Sequence, residues 1–155
     1  MLTQVLACHA VASMRPDHDV VIVGGGPAGL SAALFSTHLD PSLRSRLVVL
    51  EREKYPREKI CAGGVGGRAD RALASIGVYV DAPSAIARGF SVKMHGGERL
   101  ERRHEGNRAV GRVIRRAEFD DALARVAMDR GIEIRQQVKV LKITREPERI
   151  IVHTS

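Results

Sequence analysis

Apolar residues in the first third of the chain occur in short runs whose spacing changes at a cluster of glycines. Residues 19–23 (DVVIV) form an uninterrupted β-branched run, typical of a strand buried on both faces of a parallel sheet. From Pro27 the apolar positions take helical spacing, and an Asp-Pro pair at 40–41 should end the helix. The stripe facing the core should consist of Leu30, Leu34, Phe35 and Leu39. Residues 46–51 (RLVVLE) repeat the buried-strand pattern, so these segments predict a βαβ unit with a right-handed crossover.

The later segments alternate between strand and helix patterns. A glycine-rich loop (CAGGVGG) precedes a helix over 68–76 that Gly77 should end, and a second amphipathic helix runs to Gly131 with Phe119, Leu123 and Val126 on one face. Between these helices, FSVKMH and ERLERR flank a Gly-Gly pair, the spacing of a hairpin with a two-residue turn. The motif IEIR at 132–135 should add a third parallel strand, and the tail should form two antiparallel strands around a Glu-Pro turn.

These patterns predict the α/β class: a Rossmann-like parallel sheet with a βαβ start, a β-hairpin excursion over 86–110 and an antiparallel β tail. A length of 155 residues suits one domain with a real hydrophobic core. Residues 1–17 should form a flexible N-terminal extension, in which Met14 is an alternative start, and residues 18–155 should form the domain itself.

The net charge of +7 raises the question of a nucleic-acid partner. The arginines are interspersed with acidic residues and form no Lys/Arg-only tract, and aromatic residues make up 3% of the chain with no tryptophan. This distribution favours solvated faces or contacts to a cofactor phosphate over a nucleic-acid surface, so we expect no nucleic-acid partner.

The cysteines and apolar segments bear on where the protein works. The chain has two cysteines far apart in sequence, so we expect no disulfide framework. This cysteine usage suggests that the protein works in a reducing cytoplasm. No stretch reaches the roughly 18 apolar residues of a membrane span, so any membrane association would be peripheral. The histidines lack a metal-ligand spacing, and no metal is assigned.

A GxGxxG motif made of Gly24, Gly26 and Gly29 stands where the first strand ends and the first helix begins. In this context the first glycine permits the tight turn, the second lets a pyrophosphate approach the backbone, and the third allows close packing of helix on strand. Pro27 fixes φ in the first turn, and the free amides there, with that of Ala28, should face the phosphates together with the helix dipole. The motif therefore predicts a dinucleotide site; alone it could be an ordinary glycine turn.

Glu51, at the end of the second strand, is the acid expected about 20 residues after the motif. Its carboxylate should accept hydrogen bonds from both ribose hydroxyls and repel a 2′-phosphate, which disfavours NADP. The alternative is an exposed acid at a strand end. We expect Glu51→Ala to weaken binding of adenosine nucleotides with little loss of fold. These features do not separate FAD from NAD, because both present an ADP half to the same loop.

Two later motifs carry a family resemblance. The segments YPREKICAGGVGGRADRALASIGV and VIRRAEFDDALARVAMDRGIEI resemble the geranylgeranyl reductase family of flavoproteins, within the p-hydroxybenzoate hydroxylase-like group. The matching positions are Lys59, Cys61, Ala62, Gly63 and Gly64 in a cysteine-glycine loop, and Arg116, Phe119, Asp120 and Leu123 in a helix. The resemblance covers residues 18–155 and implies that the cofactor is FAD.

The resemblance also implies roles for individual residues. Glu51 would hold the adenosine ribose and Arg52 would flank the adenine. The backbone of Cys61, Ala62 and Gly64 would line the flavin, and Arg116 would reach the phosphate or ribitol. Simpler interpretations stand beside these: Cys61 as a small packing residue, Arg116 as a solvated first-turn residue, and Asp120 and Asp121 as residues that cap the helix.

The activity implied by the resemblance is reduction of an isoprenoid double bond by FAD that an external electron donor has reduced. Two alternatives stay open: an aromatic-ring monooxygenase of the same group, and a catalytically incomplete nucleotide-binding fragment. Family members continue with further flavin-contacting segments and a substrate-covering sheet. Since the sequence ends at Ser155, we expect the N-terminal portion of a flavoprotein, a partial FAD-binding domain that cannot alone enclose a substrate.

Overall fold

The computed structural model describes residues 18–103, 106 and 109–155. The predicted extension over 1–17 and part of the 86–110 excursion lie outside the described residues. The elements in chain order are β1 (Val20–Val23), α1 (Pro27–Leu39), a 3-10 helix (Pro41–Ser45), β2 (Leu47–Leu50), β3 (Gly64–Gly66), α2 (Gly67–Ser75), β4 (Ser84–Ala87), β5 (Gly89–Lys93), β6 (Arg99–Arg103), β7 (Gly111–Ile114), α3 (Arg116–Asp129), β8 (Glu133–Arg135), β9 (Val140–Arg145) and β10 (Ile150–Thr154).

A parallel sheet in the order β1-β2-β8 positions the glycine motif. Strand β2 pairs in parallel with β1 on one side and with β8 on the other, which confirms the predicted third strand. Every residue of β2 is buried, as its apolar run predicts. The prediction for β1 was wrong on one face, because Val21 and Val23 are 37% and 53% exposed whereas Val20 and Ile22 pack against the core. An apolar run does not reveal that a strand lies at a sheet edge with one face uncovered.

Helix α1 begins at Pro27 and ends at Leu39, as predicted, and packs against α3 and β2. Leu30, Ala33 and Leu34 are buried in the core. Leu39 departs from the predicted stripe, since it is 81% exposed. The helix ends there because Asp40 leaves helical geometry and caps the following 3-10 helix, accepting a hydrogen bond from the Ser42 amide at 2.9 Å.

A second sheet, antiparallel with the order β3-β7-β4, was not predicted from the sequence. Its first strand lies within the segment predicted to be a glycine-rich loop. A Cβ on Gly111 would overlap the backbone of Val65, so β3 and β7 approach more closely than larger residues would permit. Glycines carry no hydrophobic alternation, and a strand built from them therefore gives no periodic signal.

The remaining predicted elements are present. Helices α2 and α3 are followed by Gly77 and Gly131, both at positive φ, and β9 pairs with β10 in the antiparallel tail. Strands β5 and β6 form the expected hairpin, but the last backbone pair joins Lys93 to Arg99, so the turn is longer than the two residues predicted. None of the helices in the described part of the chain is long and apolar enough to cross a bilayer.

Candidate nucleotide-binding site

The glycine motif forms a tight connection between β1 and α1. Gly24 adopts φ +104, in the region that favours glycine, and its amide donates to the Leu50 carbonyl at 2.8 Å. A Cβ on Gly29 would overlap the backbone oxygen of Gly24, so close packing of helix on loop requires glycine there. Gly26 is the N-cap of α1 and no side chain caps the helix. The amides of the first turn of α1 therefore make no hydrogen bond to a capping side chain.

The Glu51 carboxylate lies beneath this loop and is 5% exposed. Its Oε2 accepts the Gly25 amide at 2.9 Å and lies 3.2 Å from Arg57 Nη2, and its Oε1 accepts the Glu53 amide at 3.0 Å. A carboxylate offers about four lone-pair positions, so one remains on Oε1 for a further donor. These contacts leave room for one ribose hydroxyl, whereas the sequence predicted bonds to two. Because Glu51→Ala would remove the acceptor of three partners, we expect this variant to lose stability as well as nucleotide binding.

Arg57 is the main residue of the site that the sequence did not indicate. Its side chain is 9% exposed and its Nη1 lies 3.3 Å from Asp120 Oδ2, opposite the contact to Glu51. The guanidinium also lies over the Tyr55 ring, 5.6 Å from its centroid. A buried arginine held by acids distant in sequence has no local signature, and the pattern gives no means of separating it from the many exposed arginines.

Arg116, the first residue of α3, binds Asp120 through two hydrogen bonds of 2.8 Å, from Nε to Oδ1 and from Nη2 to Oδ2. Asp120 is fully buried, and the Arg115 N-cap of α3 has no side-chain cap, so the capping role expected for Asp120 is wrong. Asp121 pairs with Arg125 at 2.7 Å and does not cap either. The pKa of Arg116 is raised, mainly by its hydrogen bonds to Asp120.

Tyr55 holds the loop from the other side. Its hydroxyl donates to the Gly25 carbonyl and its amide donates to Gln136 Oε1 at 2.8 Å. Burial, with the nearby Glu51 carboxylate, raises the pKa of Tyr55 to about 12. The phenol is thus a neutral donor throughout the physiological range.

Cys61 is exposed, which contradicts the interpretation as a small packing residue. The Gly63 amide approaches its Sγ at 3.5 Å, and this contact, together with the Arg116 side chain, lowers the pKa of the thiol. The thiolate form is therefore more accessible here than for an ordinary surface cysteine.

Two clefts meet at Arg116. The first, called the polar cleft, has a volume of about 480 Å³ and many charged residues in its lining, which includes Gly24, Gly26, Glu51, Arg52, Arg57, Lys59, Arg116 and Val138. The second, of about 320 Å³, is mainly apolar, and its lining includes Pro27, Phe35, Cys61, Gly64, Val65, Arg116 and Phe119.

The predicted site residues divide between these clefts. Most of them line one cleft or the other, whereas Ala28 and Ala62 are exposed and line neither, and Gly29 serves the packing of helix on loop. The structure thus brings together Glu51 and Arg52, predicted to contact the ribose and the adenine, and brings the cysteine loop to the apolar surface. Arg116 lines both clefts.

Comparison with known proteins finds relatives that match most of this chain. No family model matches the sequence. The chain is 30% identical over 140 residues to an uncharacterised protein of Methanosarcina barkeri, covering 88% of this chain and 33% of that protein. It is 31% identical over 136 residues to a menaquinone reductase of Mycolicibacterium smegmatis, covering 86% of this chain and 32% of the relative. The chain thus spans about a third of the length of the curated relatives it matches.

Solved structures agree on the fold. A geranylgeranyl bacteriochlorophyll reductase-like protein from Thermoplasma acidophilum superposes with a TM-score of 0.70 at 23% identity, over 86% of this chain and 33% of that one. The myxobacterial chondrochloren halogenase CndH, an FAD-dependent halogenase, superposes with a TM-score of 0.67 at 25% identity, over 88% and 32%. The chain has an α/β fold shared with FAD-dependent flavoproteins, and these neighbours include both reductases and halogenases.

Proposed function

We propose that the chain is the FAD-binding part of a flavin-dependent oxidoreductase. The observation that carries this proposal is the uncapped start of α1, beside which two guanidinium groups lie. A Cβ on Gly26 would meet only the Nη2 atoms of Arg57 and Arg116, each at 3.6 Å, so the approach to this helix end is lined by guanidinium groups. Such an end, with free amides and a positive helix dipole, favours a diphosphate.

The residues around this point fit the ADP half of FAD. Glu51 has one lone-pair position left for a ribose hydroxyl, and the proposed role of Arg52, 66% exposed beside it, is to flank the adenine. Arg116 reaches from the polar cleft into the apolar one, where the backbone of the cysteine loop is exposed for a flat ring system. Bound FAD would supply hydride transfer, while this chain's residues bind it, orient it and keep its phosphates neutralised.

We further propose that the reaction is reduction of an isoprenoid double bond, with FAD reduced by an external electron donor. The cysteine-glycine loop resembling the geranylgeranyl reductases supports this choice, as does the likeness to a menaquinone reductase and to a geranylgeranyl bacteriochlorophyll reductase-like protein. The polypeptide that completes the substrate pocket would lie beyond the part of the relatives that this chain matches.

A second candidate is an enzyme whose reduced flavin reacts with oxygen, such as an aromatic-ring monooxygenase. The likeness to an FAD-dependent halogenase at 25% identity favours keeping it. The two candidates share the cofactor site and differ in what reaches the reduced flavin.

Titration of FAD with the chain tests the cofactor assignment. We expect saturable quenching of flavin fluorescence that ADP reverses by competition. Absence of saturable binding, with the chain shown to be folded by circular dichroism, would contradict the proposal.

A second experiment tests the reaction: anaerobically reduced flavoprotein is mixed either with a geranylgeranyl substrate or with oxygen. Gain of two hydrogens per reduced bond, measured by mass spectrometry, supports the reductase, and an accumulating oxygen adduct supports the alternative.

A further inference from the structure

Two arginines from different parts of the chain converge on the start of α1. Arg57 belongs to the loop after β2 and Arg116 begins α3, and their Nη2 atoms lie equally far, 3.6 Å, from the position of a Cβ on Gly26. Like charges at such proximity repel each other unless anions lie between or beside them. The acidic side chain between the two arginines therefore determines how they are held.

Asp120 lies between the two guanidinium groups. Its Oδ1 accepts Arg116 Nε at 2.8 Å, and its Oδ2 receives Arg116 Nη2 at 2.8 Å and lies 3.3 Å from Arg57 Nη1. Glu51 holds the other side of Arg57 at 3.2 Å. In the order Arg116, Asp120, Arg57 and Glu51 the four side chains alternate in charge, and their net charge is zero. Asp120 is fully buried. One carboxylate thereby fixes the separation and orientation of both cations.

The network leaves Arg57 incompletely satisfied. Its side chain is about nine-tenths buried and lines the polar cleft, yet its Nε has no hydrogen-bond partner and is buried. A guanidinium carries five N–H donors, and a buried donor without a partner is unfavourable. This unpartnered donor, beside an uncapped helix end, favours binding of an additional acceptor.

We infer that Asp120 is a positioning residue that sets Arg57 and Arg116 as one diphosphate-binding pair at Gly26. This inference rests on the proposed function only in taking the diphosphate of a dinucleotide as the natural ligand. Asp120 is fully buried and lines neither cleft, so it acts through the two arginines. Arg57, which the sequence did not indicate, supplies the second cation of the pair.

The test compares Asp120→Asn with Asp121→Asn, the same change one residue along α3 in an ion pair whose arginine, Arg125, is exposed. Dissociation constants are measured by calorimetry for inorganic pyrophosphate, ADP and adenosine, on variants whose fold is checked by circular dichroism. For Asp120→Asn we expect binding of pyrophosphate and ADP to weaken about tenfold, the equivalent of one charge-assisted hydrogen bond, while adenosine binding changes less than about twofold. Asp121→Asn should bind all three like the parent chain.

Arg57→Lys provides an independent test that retains the charge. A lysine cannot span Glu51 and Asp120 as a fork, so ADP binding should again weaken relative to adenosine. If Asp120→Asn does not fold, this variant alone decides the inference. Unchanged or tighter ADP binding in Asp120→Asn would show that the carboxylate competes with the ligand for the arginines, and equal losses for ADP and adenosine would show a purely structural role; either overturns the inference.

The outcomes also separate this inference from the proposed cofactor. If the parent chain binds pyrophosphate but neither FAD nor ADP, the proposed function fails and the arginine pair stands. If it binds FAD and ADP but the variants keep the parent ratio of ADP to adenosine affinity, the cofactor stands and the role of Asp120 fails.

Discussion

Replacing Glu51 by glutamine should destabilise the fold, although the change removes only a charge. The carboxylate accepts the amides of Gly25 and Glu53 and lies 3.2 Å from Arg57. A glutamine keeps one acceptor oxygen but turns an NH2 group toward at least one donor. Hydrogen bonds involving a charged group contribute about 1.5 to 3 kcal/mol each, so with partial compensation we expect a loss of about 2–4 kcal/mol in the free energy of unfolding.

Urea denaturation followed by circular dichroism measures this loss. With a slope of about 2 kcal/mol per molar, the midpoint should fall by about 1–2 M. Glu133→Gln is the matched control, because Glu133 is 44% exposed and pairs with Arg135 on the surface. Surface ion pairs contribute about 0–1 kcal/mol, so the control should unfold close to the parent chain. Equal midpoints for Glu51→Gln and the control would refute the reasoning that this carboxylate holds the glycine loop.

Three further predictions concern the same region. Gly29→Ala should lower the melting temperature strongly, because its Cβ would overlap the Gly24 oxygen. Gly26→Ala should melt near the parent temperature but bind pyrophosphate more weakly. Equal melting temperatures for the two variants would contradict the packing argument. Tyr55→Phe should cost about 1–2 kcal/mol by urea denaturation. The pKa of Tyr55 is about 12 in the folded chain and about 10 in the unfolded chain, so the stability of the parent should fall as pH rises from about 10 to about 12. Tyr55→Phe should remove this part of the pH dependence of stability. In a chain whose other cysteine is replaced by serine, the rate of Cys61 alkylation should rise with a pH midpoint below the usual thiol pKa of about 8.5. Arg116→Gln should raise this midpoint, and an unchanged midpoint would contradict the influence of the arginine on the thiol.

Local patterns predicted those parts of the fold whose causes are local. The turn at Gly24, the start of α1 at Pro27 and the ends of α2 and α3 follow from backbone preferences of glycine and proline. The burial of Phe119 and Leu123 follows from helical spacing. Elements of this kind can be predicted from a single sequence because the residues that determine them lie within one or two turns.

The charged framework could not be predicted, because its determinants are distant in sequence. Arg57 and Asp120 are separated by 63 positions in the printed sequence and meet only when α3 packs beside the loop after β2. Nothing near either residue in sequence distinguishes it from the exposed Arg52 or the less deeply buried Asp121. The position of Glu51 was predictable, but its near-complete use by Gly25, Glu53 and Arg57 was not.

The two clefts join different chemistries at a single side chain. Arg116 lies in the lining of the polar cleft beside Gly26 and in that of the apolar cleft beside Cys61. A ligand that occupies both must therefore carry a charged middle next to the guanidinium, a sugar toward Glu51 and a broad apolar group toward Phe35 and Val65. FAD matches this order, because its diphosphate separates the adenosine from a flat three-ring system. NAD has the same diphosphate but ends in a single small ring with a polar carboxamide, which would cover less of the apolar lining than a three-ring system. The order of surfaces therefore supports FAD where the glycine motif alone leaves the two cofactors equivalent.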